Sequence, residues 1–431
     1  MNFYRAVVAA GGKKSNATCP SCFGAVSIRG CRKLREEPTV DVVRCSCTSG
    51  LLNQPHVTPP TAAQLDGLRW PDVEITPDRQ MYQASALGRH GLTSTAKFFS
   101  ERNLAVLAAV RMQIDREPDP AIQKKLLFAF TGILARASKR YQWGPKGPLN
   151  AANQNYYVAP IFYEWNVYDL FVRKSVAVLK SDAFLRAERV KSSAVYPIDV
   201  SYVNASAHEL PLPRHSVDYV FTDPPFGSNI FYSDMNLFQE AWIGELTDHA
   251  FEAVVDRSGE RSPARYEGLL SAALAECNRV LRTGGHLSLV FSNSSGAVWA
   301  LVQRAVSAAG FSIIADGVHL LDKGQRSVKG LASGFENVVT MDLILTMRKL
   351  DSQEVLPPLH SPTEAEIEAA VASSISSEGV SSVTHVYLSI LRTGMLQGWS
   401  LADLNFSRVA EVVTQIGRRV DPVTARFLPG G

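Results

Sequence analysis

The chain has 431 residues, 46% of them hydrophobic and 20% charged, with a formal net charge of +3. That composition excludes a disordered or fibrous chain, gives ample material for a core, and suggests two to three domains. No apolar run approaches the roughly 18 residues of a membrane span, and the N-terminus carries only a short apolar run without a cleavage signature, which reads as a cytoplasmic protein. The slight positive charge permits a polyanionic partner without demanding one.

In chain order, the first feature is a cysteine cluster. Five of the six cysteines, Cys19, Cys22, Cys31, Cys45 and Cys47, fall within the first fifty residues. A cytosolic chain keeps thiols reduced, so "CPSC" (19–22) and "RCSC" (44–47) read as two metal-binding knuckles. Four thiolates, Cys19, Cys22, Cys45 and Cys47, around one zinc would stabilise a segment too poor in apolar residues to fold alone. The second pair is tighter than the usual two-residue spacer, and Cys31 can replace either of its members. The alternative is a loop of free thiols. His56, His90 and His249 have no partners at ligand spacing.

A proline-rich connector (51–64) leads into a helical region. "STAKFFSERNLAVLAAVRMQI" and "AIQKKLLFAFTGILARASKRY" carry apolar residues at three- and four-residue intervals, "WGPKGPLN" interrupts them, and "YEWNVYDLFVRKSVAVLK" resumes the pattern. After Ala194 short strands alternate with helices: "VDYVFT", "YEGLLSAALAECNRVL", a turn at "RTGG", "HLSLVF", "AVWALVQRAVSAAG", "FSIIADGVHL" and "VVTMDLILTM". This alternation predicts an α/β fold with a largely parallel sheet covered on both faces. A linker (356–362) precedes a last helical segment. The expected divisions are 1–60, 61–193, 194–350 and 351–431. Basic residues gather at 136–146 and 322–330, where solvated charge competes with phosphate contact as the explanation.

The strand "VDYVFT" ends in "DPPFG", and this is where chemistry is expected. Pro224 and Pro225 offer no N–H and fix their own φ, so the ladder stops there. In an open parallel sheet, ligands sit beyond the carboxyl ends of strands, which is where Asp223 is delivered. "TDPPFG" resembles the motif of the amino-directed methyltransferases, which move a methyl group from S-adenosylmethionine to an exocyclic amine of a base. The order of cysteine knuckles, "FFSERNLAVLAAV", "FAFTGILARASKRY", "YEWNVYDLFVRK", "FTDPPFGSNIFYSDMNLFQEAWIG" and "CNRVLRTGGHLSLVF" is similar to adenine-specific DNA methylases that contain a zinc ribbon.

The resemblance implies a Rossmann-like S-adenosylmethionine-dependent methyltransferase sheet with an N-terminal zinc ribbon and helical insertions. It implies Asp223 and the Pro224 carbonyl as acceptors for the two amine hydrogens, Pro225 as the lock on that carbonyl, and Phe226 as the ring that stacks on a flipped base. Asn204, Ser206 and Thr222 are the residues expected on the cofactor side, with Ser206 standing where many relatives carry an acid; both loop residues equally suit local backbone capping. Methyltransferases of this group also carry a glycine-rich strand-to-helix loop, found before the cysteine module in the similar methylases. The candidates here, "AAGGKK" and "LGRHG", do not follow a convincing strand. The sheet is therefore expected to be incomplete, with that loop supplied by a second protein chain or by a lost upstream segment. DNA is the expected partner. An RNA base amine is the alternative substrate, because "TDPPFG" also resembles guanine-N2 tRNA methylases, and a noncatalytic zinc-ribbon remnant is the alternative outside enzymes.

Overall fold

A computed structural model describes residues 67–141, 156, 158, 162–193, 200–228, 230–256, 261–321, 341–351, 354, 357–376, 382–416 and 427, together with the backbone of four short strands nearer the N-terminus. Those strands form two antiparallel pairs, β1 (Asn16–Thr18) with β2 (Ala25–Ser27) and β3 (Val40–Arg44) with β4 (Leu51–Pro55). Cys19, Cys22, Cys31, Cys45 and Cys47 lie outside the described residues, and with them the zinc expectation. No helix among the described residues is long and apolar enough to cross a membrane.

The chain divides into two compact units, residues 1–198 with 236–247, and residues 199–235 with 248–431. In the first unit the three long helices are those the apolar spacing indicates, α1 (Glu101–Asp115), α2 (Pro120–Thr131) and α3 (Val167–Ser193), beside short helices at Gln80–Ala84, Leu87–His90 and Leu134–Ala137. Ser100 caps α1 by accepting the Asn103 N–H, and Asp119 caps α2, whose first residue is a proline whose missing N–H costs nothing there. Phe98, Phe130 and Tyr156 bury fully among these helices with Leu237 and Phe238. Those last two belong to α4 (Tyr232–Ile243), which starts in the second unit and is counted in the first from Asn236 onward.

The second unit holds a four-stranded sheet in the order β5 (Val217–Thr222), β6 (Leu281–Phe291), β8 (Asp342–Lys349), β7 (Phe311–Leu321). Helices α5 (Pro263–Val280) and α6 (Gly296–Ala308) connect its strands. Only β5 and β6 run parallel, whereas β8 pairs antiparallel with both β6 and β7. The expected largely parallel sheet is thus a mixed one. The reason is in the order of elements: no helical pattern separates the last two strands, and without a crossover helix successive strands pair antiparallel.

The "RTGG" turn is also different, since residues 281–285 continue into β6, with a register shift opposite Val217 and Tyr219. A Cβ on Gly285 would lie 3.1 Å from the Asp218 carbonyl oxygen and 2.9 Å from that of Arg282, so only glycine lets the two parallel strands close there. Register places Val220 and Thr222 beside the buried Leu287 and Leu289 on one face. Tyr219 and Phe221 share the other face with His286 and Ser288, and they are 52% and 61% exposed. The C-terminal helices α7 (Glu364–Ile375), α8 (Val383–Gln397) and α9 (Phe406–Gln415) contribute Val371, Tyr387, Leu391 and Val413 to the same core as Leu289, Phe291 and Leu345.

Candidate active site

Because β6 parallels β5 and β7 runs in the same sense through β8, the carboxyl ends of β5, β6 and β7 share one sheet edge. Asp223 stands there, exposed, directly after the last paired residue Thr222, and Pro224, Pro225 and Phe226 are half-buried behind it.

The turn is fixed by three successive backbone carbonyls. The Tyr266 hydroxyl, from α5, donates to the Pro225 carbonyl at 2.5 Å. The Asn293 amide Nδ2, just past β6, donates to the Phe226 carbonyl at 2.9 Å. The Val255 N–H donates to the Gly227 carbonyl at 3.3 Å. Gly227 has φ +85°, a left-handed conformation that glycine reaches without a Cβ penalty. Asn293 is itself oriented, accepting the Ser295 N–H on Oδ1 at 2.7 Å and the Trp299 Nε1–H on its carbonyl at 2.9 Å. The Phe226 ring packs 5.1 Å from Phe291, which packs 5.1 Å from the fully buried Trp299. Phe226 therefore anchors the turn to the core with at least one edge of the ring that sequence assigned to base stacking.

Tyr232, at the start of α4, is 43% exposed, and its phenol is held above the usual range by burial first and then by the Asp223 and Glu252 carboxylates. Glu252 receives the Ser233 N–H at 3.0 Å, the Ser233 hydroxyl at 2.6 Å and the Tyr232 N–H, satisfying amides that a helix start leaves without intrahelical partners. Burial raises the Glu252 carboxyl, the Ser233 bonds lower it in part, and Asp234 raises it again. The buried Arg261 donates from Nε to Asp256 at 2.6 Å, approaches Glu252 at 3.7 Å and covers the Phe231 ring at 5.5 Å. A charge network thus sits directly beneath the segment that follows the turn.

On the expected cofactor side, Asn204 and Ser206 are exposed, and Ser206 Oγ is bonded to His208 Nδ1 at 2.8 Å. The chain after them is tied to α5: Glu276 accepts the Leu210 N–H at 3.0 Å, and Arg279 donates to the Leu210 and Leu212 carbonyls at 3.0 and 2.9 Å. Arg279 and that N–H hold the Glu276 carboxyl down at about 2. Asn204 and Ser206 thus lie in the exposed segment before β5, and Thr222, the last paired residue of β5, is half-buried.

No cluster of three or more His, Cys, Asp or Glu side chains that could hold a metal occurs among the described residues. The basic stretch at 322–330 lies outside them. At 136–146, Lys139 and Arg140 are 8% and 6% exposed, so neither solvated charge nor open phosphate contact describes them. Arg140 lies 4.6 Å over the Tyr156 ring and 5.7 Å from Phe238, and Lys139 donates to the Lys97 carbonyl at 3.1 Å.

Sequence reasoning passed over Tyr266, Asn293, Tyr232 and Glu252. Asn293 had a signal: "FSNSSG" puts small polar residues after a strand, at the same edge as "FTDPPF". Tyr266 had none, because a tyrosine in an apolar helical pattern reads as core.

No family model matches this sequence, and no curated protein matches it. Among solved structures it is similar to a Thermus thermophilus protein described as a candidate DNA modification methylase, 17% identical over 40% of this chain and 62% of that one, with a TM-score of 0.21. The same protein complexed with S-adenosyl-L-methionine gives 18% identity, 40% and 64% coverage, and a TM-score of 0.21. A SAM-dependent methyltransferase of Methanosarcina mazei gives 12% identity, 34% and 65% coverage, and a TM-score of 0.18. The chain spans under two thirds of each of these proteins. Likenesses this weak decide neither its fold nor its function, and the chemistry has to be argued from the turn itself.

Proposed function

We propose that the chain methylates an exocyclic amine of a nucleic-acid base with S-adenosylmethionine, adenine N6 in DNA being the favoured target. The observation that carries the reading is the acid–Pro–Pro–Phe turn at the carboxyl end of a parallel strand, with the three carbonyls after Pro224 already bonded. An aromatic amine is a poor nucleophile because its lone pair is delocalised into the ring. Asp223 accepts one of its hydrogens and the Pro224 carbonyl the other, favouring a pyramidal nitrogen whose lone pair points to the donor. Acceptors fixed before reaction, where positive charge develops on nitrogen, are electrostatic preorganisation. S-adenosylmethionine would supply the methyl from its sulfonium and leave as the thioether S-adenosylhomocysteine, the amine giving up one proton by way of Asp223 to water, and Asn204, Ser206 and Thr222 would offer the cofactor polar contacts on one side only.

The other side of that site belongs, in this reading, to a second polypeptide carrying a glycine-rich strand-to-helix segment. What supports this is the edge of the sheet. A parallel pair is ordinarily covered on both faces, yet Tyr219 and Phe221 on β5 are largely exposed, as are Val200, Tyr202 and Val203 in the segment before it, at 64%, 95% and 60%. The structural zinc at Cys19, Cys22, Cys45 and Cys47 remains part of the proposal. Tritiated methyl transfer to duplex DNA and to tRNA, measured with and without such a polypeptide, tests it. Label in DNA supports the adenine reading, label in tRNA alone moves the substrate to RNA, and label in neither overturns the enzyme.

A further inference from the structure

We infer that Tyr266 is a positioning residue for the amine-binding turn, acting through the Pro225 carbonyl, with Asn293 as its counterpart on the next residue; this rests on the function proposed above. The Pro224 carbonyl shares its peptide plane with the Pro225 nitrogen. The aim of that carbonyl is therefore set by how Pro225 is held. The ring of Pro225 fixes φ, which leaves ψ as the one soft dihedral of that residue. The Tyr266 hydroxyl at 2.5 Å from the Pro225 oxygen fixes ψ, and the Asn293 amide at 2.9 Å from the Phe226 oxygen fixes the following peptide.

The two donors come from α5 and from the end of β6, 41 and 67 residues beyond their acceptors, so the turn is referenced to two elements of the core and not to itself. Tyr266 and Asn293 are each 1% exposed, so both donors are set by the core, while their acceptors lie on the half-buried turn. Losing such a bond leaves a half-buried carbonyl without its protein donor and lets the turn shift. Shifts of about 1 Å at a reacting group cost up to about a hundredfold in rate.

The test compares Tyr266→Phe with Tyr387→Phe in the full chain, with the strand-to-helix polypeptide supplied for the kinetics. Tyr387 is equally buried in the same core, and its hydroxyl donates to the Leu404 carbonyl at 3.3 Å, so its variant controls for removing any core hydroxyl. Amide hydrogen exchange at Phe226 and Gly227 is read in both, together with kcat and KM for methyl transfer to DNA. The expected result is exchange faster in Tyr266→Phe alone, with kcat down about 10- to 100-fold and both KM values unchanged. Unchanged exchange, or an equal effect in the control, overturns the inference whatever the activity. Faster exchange with undiminished kcat also overturns it, because the turn would then be loosened without consequence. If wild type, assayed with the strand-to-helix polypeptide supplied, transfers no methyl group to any acceptor, the proposed function falls and the positioning role falls with it, while the exchange data still report whether Tyr266 holds the turn.

Discussion

Ser233 and Glu252 stand nineteen residues apart and are joined twice, hydroxyl to one carboxylate oxygen at 2.6 Å and N–H to the other at 3.0 Å. The pair closes the segment after the Asp223–Gly227 turn onto the loop that precedes α5, and it does so with a carboxyl that burial raises above the usual 4.5.

The sign of the resulting pH dependence follows from linkage. A raised folded-state pKa means the native protein holds the proton where the unfolded chain has released it, so Glu252 contributes less stability as pH rises through its folded value. Glu252→Gln gives up one of the two oxygens that Ser233 uses, and wild type is expected to lose stability relative to it as pH rises from 4.5 to 7. Urea unfolding at both pH values measures it. A stability difference that stays the same, or moves in glutamine's disfavour, between pH 4.5 and 7 would mean that the charge is held by Arg261, 3.7 Å away. Glu276 and Glu354 act in the opposite sense: both are held at about 2, so their contributions persist above 4.5 and are lost as pH falls toward 2.

Asp223→Ala is expected to lower methyl transfer by about two orders of magnitude or more, the scale on which removal of one preorganised polar group acts. Asp223 is exposed at a strand end, so the melting temperature should stay within a degree or two of wild type. Equal activity in the variant, assayed with any partner that wild type requires, removes Asp223 from the mechanism.

Metal analysis of freshly purified protein should find about one zinc per chain, and Cys19→Ser should release it, because a structural site loses most of its affinity with one thiolate gone. Protein purified without chelator and free of zinc would leave the cysteines as loop thiols. The sheet of the second unit should melt at the same temperature with and without the metal.

Calorimetric titration of the isolated chain with S-adenosylmethionine should show weak binding or none, and binding should appear when the strand-to-helix polypeptide is supplied. Tyr219→Lys and Phe221→Lys should abolish that gain while changing stability by about 0.5 kcal/mol or less, since both side chains are already largely in water. Micromolar binding by the chain alone would place the pocket within residues already present.

Much of the fold was legible. "VDYVFT" coincides with β5, the spacing of apolar residues located α1, α2, α5 and α6, and the polar–proline boundary located the turn. These are local signals, set by periodicity and by the backbone limits of proline. The antiparallel placement of β8 between β6 and β7 was not legible, because hydrophobic pattern specifies a strand but not its neighbour. Nor was Tyr266, which reaches the turn through tertiary closure that no spacing rule encodes, and the polar run after β6 pointed to Asn293 without showing which carbonyl it holds. The charges of Lys139 and Arg140 misled for a related reason, since a basic run looks the same whether its alkyl stems and heads are in water or folded over aromatic rings.

The burial of Arg140 beneath Tyr156 and Phe238 bears on how tightly the chain's grip on a polyanion would answer to ionic strength. Each phosphate neutralised on B-form DNA contributes about 0.9 to the slope of log affinity against log salt, because a condensed counterion is set free. A guanidinium already roofed by rings, and an ammonium already bonded to a backbone carbonyl, release no such ion. The salt slope should therefore fall short of a count made from the basic residues in 136–146, and that deficit should be the same for every DNA sequence offered.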